Sequence, residues 1–129
     1  MLRGLGVVLA FLLLVPAHVL ALLAGRKELV PPLFLRLVGR VAGLRVRLRG
    51  AARPGALYLA NHESWLDVLA LGGCTRAAFV GHSGLADHRF IRWLGAQNDT
   101  VFVERHARGS VARQVERVRA ALGERPVAI

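Results

Sequence analysis

A single cysteine, Cys74, among 129 residues leaves nothing to form an intramolecular disulfide. No Cys/His cluster falls at zinc-ligand spacing either, so no metal is expected. Cys74 itself reads as a small buried hydrophobe. Acids are scarce: eight Asp and Glu face 18 Lys and Arg, for a formal charge of +10. Aromatic residues make up only 6% of the chain, too few for the stacking platforms that hold single-stranded nucleic acid. Between Gly4 and Gly25 charge is missing altogether.

What fills these gaps is apolar: hydrophobic residues reach 54%. A chain both basic and this apolar suits a membrane surface, and no nucleic-acid partner is expected. As a helix rising about 1.5 Å per residue, the uncharged run from Gly4 to Gly25 would roughly cross the hydrocarbon core. Pro16, in its middle, removes a backbone hydrogen bond and predicts a kink. Two outcomes stay open, a tilted span and a re-entrant hairpin in one leaflet. A cleaved signal peptide competes with both, because Arg3 precedes the run. Against it, no small-x-small site precedes a mature start, and "AGRKELVPPLFLRLVGRVAGL" stays membrane-like.

Positive charge follows the run and hardly precedes it. Arg26 and Lys27 come at once, then Arg36, Arg40, Arg45, Arg47, Arg49 and Arg53. The positive-inside rule places everything after residue 25 on the cytoplasmic side. Pro31-Pro32 opens a second helix, with Leu33, Leu37, Val38 and Val41 on one side and Arg36 and Arg40 on another. That pattern suits a helix lying among lipid headgroups; an ordinary amphipathic core helix is the alternative. Residues 1–43 thus read as a membrane-associated helical segment.

From residue 44 to 129 the rhythm is α/β. "LRVRLRG" alternates apolar and basic residues and predicts a strand with one wet face. Ala51 to Gly55 is a turn, Leu57 to Ala60 a strand and Trp65 to Leu71 a helix. Ala77 to Val80 reads as a strand, the stretch around Leu85 to Gln97 as a helix, and Thr100 to Val103 as a third apolar strand. Ser110 then caps a helix with Val111, Val115, Val118 and Leu122 on one face. Alternating strands and helices imply a largely parallel sheet flanked by helices. The closing "GERPVAI" stops at the start of an apolar run, so a C-terminally incomplete domain is expected.

Ligands in such sheets collect at the carboxyl ends of the strands. His62, Gly81-His82 and Glu104-Arg105 each fall just past one. In "LYLANHESWLDVLAL", Asp67 follows His62 by five residues. A histidine is a good general base near neutral pH when a carboxylate orients it. On one ideal helix the two side chains would diverge by about 140°. They can meet only if the helix begins between them, and Ser64-x-x-Asp67 resembles the capping box that would begin it there. Asp67 could equally be only a cap. His82 with Asp87 repeats the spacing, and spacing does not choose between the two pairs.

"NHESWLD" resembles the Asn-His-x-x-x-x-Asp block of the glycerolipid acyltransferases, specifically the 1-acyl-glycerol-3-phosphate (lysophosphatidic acid) acyltransferase family. "AAFVGHSGLADHRFIRWLGAQNDTVFVERHARGS" resembles that family's next segment, ending in its strand-plus-arginine block, here "VFVER". The resemblance implies a glycerolipid-acyltransferase-type sheet, of which this chain holds part. It implies His62 as the base that deprotonates the acceptor hydroxyl, and Asp67 as its orienting partner. Arg105 would contact the acceptor phosphate, with Asn61 and His82 also at the substrate. The implied reaction converts lysophosphatidic acid to phosphatidic acid with acyl-CoA or acyl-acyl carrier protein as co-substrate, and needs no cofactor. It is expected at the inner membrane, with the active domain on the cytoplasmic face.

Three departures stand out. The family commonly has lysine at the position of His82 and glutamate at that of Gly84, which leaves the acceptor open to another lysolipid, such as a lyso-ornithine lipid. Its third block, Phe-Pro-Glu-Gly-Thr, would begin after "PVAI", so the chain alone is expected to be inactive. A non-catalytic module binding anionic membranes is the alternative from another class.

Overall fold

The computed structural model of the chain describes residues 2–61, 64–104 and 111–129, with backbone alone at 2, 3, 121, 122 and 124. These residues form two compact units, one within 1–51 and 62–76, the other within 52–61 and 77–129.

The first unit is helical. Helix α1, Leu2–Leu23, runs on through Pro16. It ends at Gly25, whose φ of +68° only glycine adopts without cost. There the Gly25 N–H donates to Leu22 O and the Arg26 N–H to Ala21 O, satisfying carbonyls the helix end would orphan. A 3-10 turn, Lys27–Leu29, leads into α2, Val30–Ala42. Proline sits in the first turn of α2, where its missing N–H has no helical partner to lose. Gly43, at φ +93°, closes α2 with the same pair of bonds, to Arg40 O and, from Leu44, to Gly39 O.

Small residues let α1 approach α2. A Cβ on Gly6 would lie 3.0 Å from a Val41 methyl, and Ala10, one turn on, is buried. Phe11 and Phe34 pack edge to face at 6.0 Å. The remaining faces of α1 expose Leu5, Leu12, Leu13, Leu20 and Leu23. Among the described residues it is the one helix long and apolar enough to cross a membrane, a test that an N-terminal signal sequence also meets. On a different face, α2 packs against α3, Trp65–Thr75.

The strand expected over "LRVRLRG" is not there. Residues 44–49 have no strand partner, and Leu44, Val46 and Leu48 instead line a groove beside α2 and α3. The turn at Gly43 delivers Leu44 onto Gly39, while Val46 and Leu48 stay exposed along the groove. Cys74, expected buried, lines the same groove and is half-buried.

The second unit is built on a four-stranded parallel sheet of β1 (Leu57–Tyr58), β2 (Ala78–His82), β3 (Val101–Val103) and β4 (Val127–Ala128). Its order is β1-β4-β2-β3. Leu57 pairs with Val127, Ala78 with Val127, and Val80 with Val101. The last strand is therefore central, and Val127 and Ala128 are buried, as their apolar run predicts. The helix expected over 85–97 divides into a 3-10 turn, Ser83–Asp87, and α4, Arg89–Gln97, separated by extended His88. Phe102 of β3 sits over Gly95 of α4, where a Cβ would lie 2.8 Å from the ring.

Helix α5, Val111–Glu124, departs from expectation in its burial. Val111 and Val115 are exposed and Val118 is half-buried; Ser110 and the Leu122 side chain lie outside the described residues.

A polar latch ties the amino ends of three strands. Asp99, at φ +54°, turns the chain from α4 into β3, and its carboxylate accepts from Arg125 Nη1 at 2.9 Å. Arg125 Nη2 donates to Asn98 Oδ1 at 3.3 Å, and buried Asn98 donates through Nδ2 to Ala77 O at 3.2 Å. Asn98→Ala is expected to destabilise the unit by about 1–3 kcal/mol. Chemical denaturation with an unchanged m-value checks this, and a loss below about 0.5 kcal/mol would make the latch ornamental.

Candidate active site

All four strands are parallel, so their carboxyl ends share one edge. Asn61 lies three residues past β1, His82 closes β2, and Glu104 directly follows β3. With neighbouring strands about 4.8 Å apart, the ends of β1 and β2 stand about 10 Å from each other, because β4 lies between them. The end of β3 adds one more spacing. Asn61 and His82 are both exposed at this edge. His62 and Arg105, each one residue beyond described positions, lie outside the described residues.

Asp67 belongs to the helical unit, and its placement is local. Ser64, in extended conformation, is the N-cap of α3: its Oγ accepts from the Leu66 N–H at 3.1 Å. The Asp67 carboxylate reaches back, Oδ2 accepting from the Ser64 N–H at 2.9 Å. This is the reciprocal capping box that the spacing predicts. It starts α3 after residue 64, and it anchors one carboxylate oxygen of half-buried Asp67.

His82 is held differently. Its Nδ1 accepts from the Gly84 N–H at 3.0 Å. A ring nitrogen that accepts carries no proton, so the neutral imidazole presents Nε2–H as a donor. That arrangement rules against a dyad in which Asp87 orients His82 through Nδ1–H, the second pair that spacing allowed. Gly84 is part of the same arrangement, since a Cβ there would lie 3.0 Å from His82 Nδ1. The two departures from the resembled family are thus one local feature. Sequence reading had both positions but no signal that they touch.

Comparison with known proteins gives the family of the chain. Residues 41–129 match the sequence pattern of the family described as Acyltransferase. The chain is similar to a lyso-ornithine lipid O-acyltransferase of Rhodobacter capsulatus, 39% identical over 89 residues, covering 66% of this chain and 31% of that protein. A lyso-ornithine lipid O-acyltransferase of Rhizobium meliloti is 32% identical over 116 residues, 87% of this chain and 40% of that protein. A 1-acyl-sn-glycerol-3-phosphate acyltransferase of Neisseria meningitidis is 30% identical over 70 residues, 54% of this chain and 28% of that protein. The chain therefore spans well under half the length of the curated relatives it matches. No solved structure matches it. With its family pattern running from the end of α2 through β4, the chain belongs to the acyltransferase family.

Proposed function

We propose that the whole protein transfers a fatty acyl group from a thioester, acyl-CoA or acyl-acyl carrier protein, to the hydroxyl of a membrane lysolipid. His62 takes the hydroxyl proton as the oxygen attacks the thioester carbonyl. The departing thiolate then recovers a proton from the imidazolium, so His62 is regenerated each cycle. Asp67 orients the imidazole. The observation that carries this reading is the capping box: it pins the Asp67 carboxylate at the start of α3, five residues after His62.

Arg105 binds the anionic group of the acceptor, with Asn61 and His82 beside it. A guanidinium fork suits phosphate and carboxylate alike. It would therefore serve lysophosphatidic acid, through the phosphate, or a lyso-ornithine lipid, through the amino-acid carboxylate. The relatives at 39% and 32% identity are named for the latter and those at 30% for the former, so both acceptors are kept. His82, with Nδ1 held by the Gly84 N–H, presents only Nε2 to the acceptor where the resembled family has a lysine, which supports an acceptor other than lysophosphatidic acid. The protein acts at the membrane through α1, with its acyltransferase part on the cytoplasmic face.

The test presents the whole protein with each lysolipid in turn, with acyl-CoA and with acyl-acyl carrier protein. Formation of the diacylated lipid from one acceptor at least about tenfold faster than from the other is expected, since one mismatched buried polar contact costs about 1–3 kcal/mol. Absence of product from every combination would end the enzyme reading in favour of a lipid-binding module.

A further inference from the structure

The helical unit contains a groove of about 470 Å³ whose lining includes none of the residues assigned to the acylation. Its floor is apolar, Leu44 from the extended segment and Leu69 from α3, with the exposed Val46 and Leu48 along its side. Its charged lining is of one sign, Arg36 and Arg40 from α2 and Arg45 beyond it, with no acid among the lining residues. Arg36 is anchored there, its Nε donating to Gly73 O at 3.2 Å in the last turn of α3. Three guanidinium groups around one concavity, with no carboxylate among the described residues that line it, favour an anion. An apolar floor adds a demand that a simple anion does not meet. The ligand must be amphiphilic.

We propose that this groove binds the phosphate headgroup of an anionic membrane phospholipid, the arginines taking the phosphate and the floor taking the glycerol and first acyl carbons. Its size is that of small-molecule sites and too small for two acyl chains, so the tails stay in the bilayer. The bilayer is close at hand. Helix α2 forms one wall of the groove and packs apolar α1 on a different face through Phe34 and Val41, at an interaxial distance of about 8–10 Å. Cys74 in the groove lies seven residues, about 10 Å, along α3 from Asp67. The lipid here is a fixed anchor and not the acyl acceptor. The proposal rests on the helical unit alone and stands whichever lysolipid is acylated.

Cys74 reports on occupancy, because it is half-buried in the lining. The whole protein in neutral detergent is alkylated with N-ethylmaleimide, and modification at Cys74 is followed by peptide mass spectrometry. Phosphatidylglycerol at about ten times its dissociation constant is expected to slow the reaction about tenfold, as simple occupancy requires. Phosphatidylcholine, inorganic phosphate and acyl-CoA are expected to leave the rate unchanged. The double variant Arg40→Gln, Arg45→Gln is expected to lose the protection while keeping the lipid-free rate, the sign of an intact fold. Arg36 is left in place because its bond to Gly73 is structural. Equal protection by phosphatidylcholine would reduce the site to apolar partitioning, and protection by phosphate alone to a bare anion site. Stronger protection by acyl-CoA would give the groove to the acyl donor, and protection surviving the double variant would remove the arginines. Each of these overturns the proposal. Native mass spectrometry supplies a second measurement if the thiol is unreactive. Phosphatidylglycerol adducts retained by the wild type and lost in the double variant are expected, and equal retention would overturn it.

Discussion

His62→Ala in the whole protein is expected to lower acyl transfer by about 10²- to 10⁴-fold, the usual worth of a positioned general base, without a comparable change in stability. The informative companion is Asp67. Its Oδ2 is already committed to the Ser64 N–H, so a carboxylate at this position has a structural use whatever the chemistry. Under the proposed mechanism Asp67→Ala is expected to remove both roles: about 1 kcal/mol of helix-cap stability and the orientation of His62. Asp67→Glu separates them, because glutamate is the ordinary third residue of a capping box. The longer side chain is expected to keep the melting temperature and still cost activity at least about tenfold, since misplacing the orienting oxygen misplaces the base. Full activity in the Asp67→Glu variant would mean that Asp67 only caps α3.

Gly73→Val is expected to be the most damaging single change in the helical unit. A Cβ at Gly73 would lie 3.0 Å from both N and Cα of Arg36, backbone atoms of α2 that no rotamer change can move. The two helices must then part, and the bond from Arg36 Nε to Gly73 O goes with their separation. Overpacking of this kind costs about 1–3 kcal/mol, and the lost bond adds about 1 kcal/mol. Replacing a helical glycine ordinarily gains up to about 1 kcal/mol, so a net loss of about 2–3 kcal/mol is expected. Gly123→Ala is the control: it lies in α5 with nothing within 4 Å of the added Cβ. There the helix propensity acts alone, and a gain of up to about 1 kcal/mol is expected in the same denaturation experiment. A destabilised Gly123→Ala, or an unaffected Gly73→Val, would show that glycine at these positions answers to something other than close approach.

The elements whose cause is local could be read from the chain. Ser64 and Asp67 are three residues apart, so the start of α3 needed no knowledge of anything distant. Gly25 and Gly43 end α1 and α2 where the charge-free run and the apolar stripe end, because a left-handed residue closes a helix from within its own last turn. The apolar runs at β2, β3 and β4 were legible for a similar reason. β4 is buried at both residues, and β2 and β3 are apolar along most of their length, so no polar side confuses the pattern.

Misreadings arose where one pattern has two physical uses. Alternation over 44–50 marks a chain with one apolar side, but here only Leu44 packs on a helix and Val46 and Leu48 stay exposed. The apolar stripe of α5 predicts burial, but Val111 and Val115 are exposed. Spacing also offered two histidine–aspartate pairs of equal merit. The bond from Gly84 N–H to His82 Nδ1 commits one ring nitrogen of the second pair, and that bond follows from the turn after β2.

By itself the sequence determined the membrane-like helix α1, the capping box at Asp67, the parallel α/β alternation and the acyltransferase blocks. Each rests on contacts between residues a few positions apart, or on a composition that excludes the alternatives. Only the tertiary structure decided the strand order, which places β4 between β1 and β2 and so sets the spacing of Asn61 and His82. It alone gathered Arg36, Arg40 and Arg45 around one groove. Those outcomes depend on pairings between residues tens of positions apart, and neither periodicity nor spacing carries information over that range.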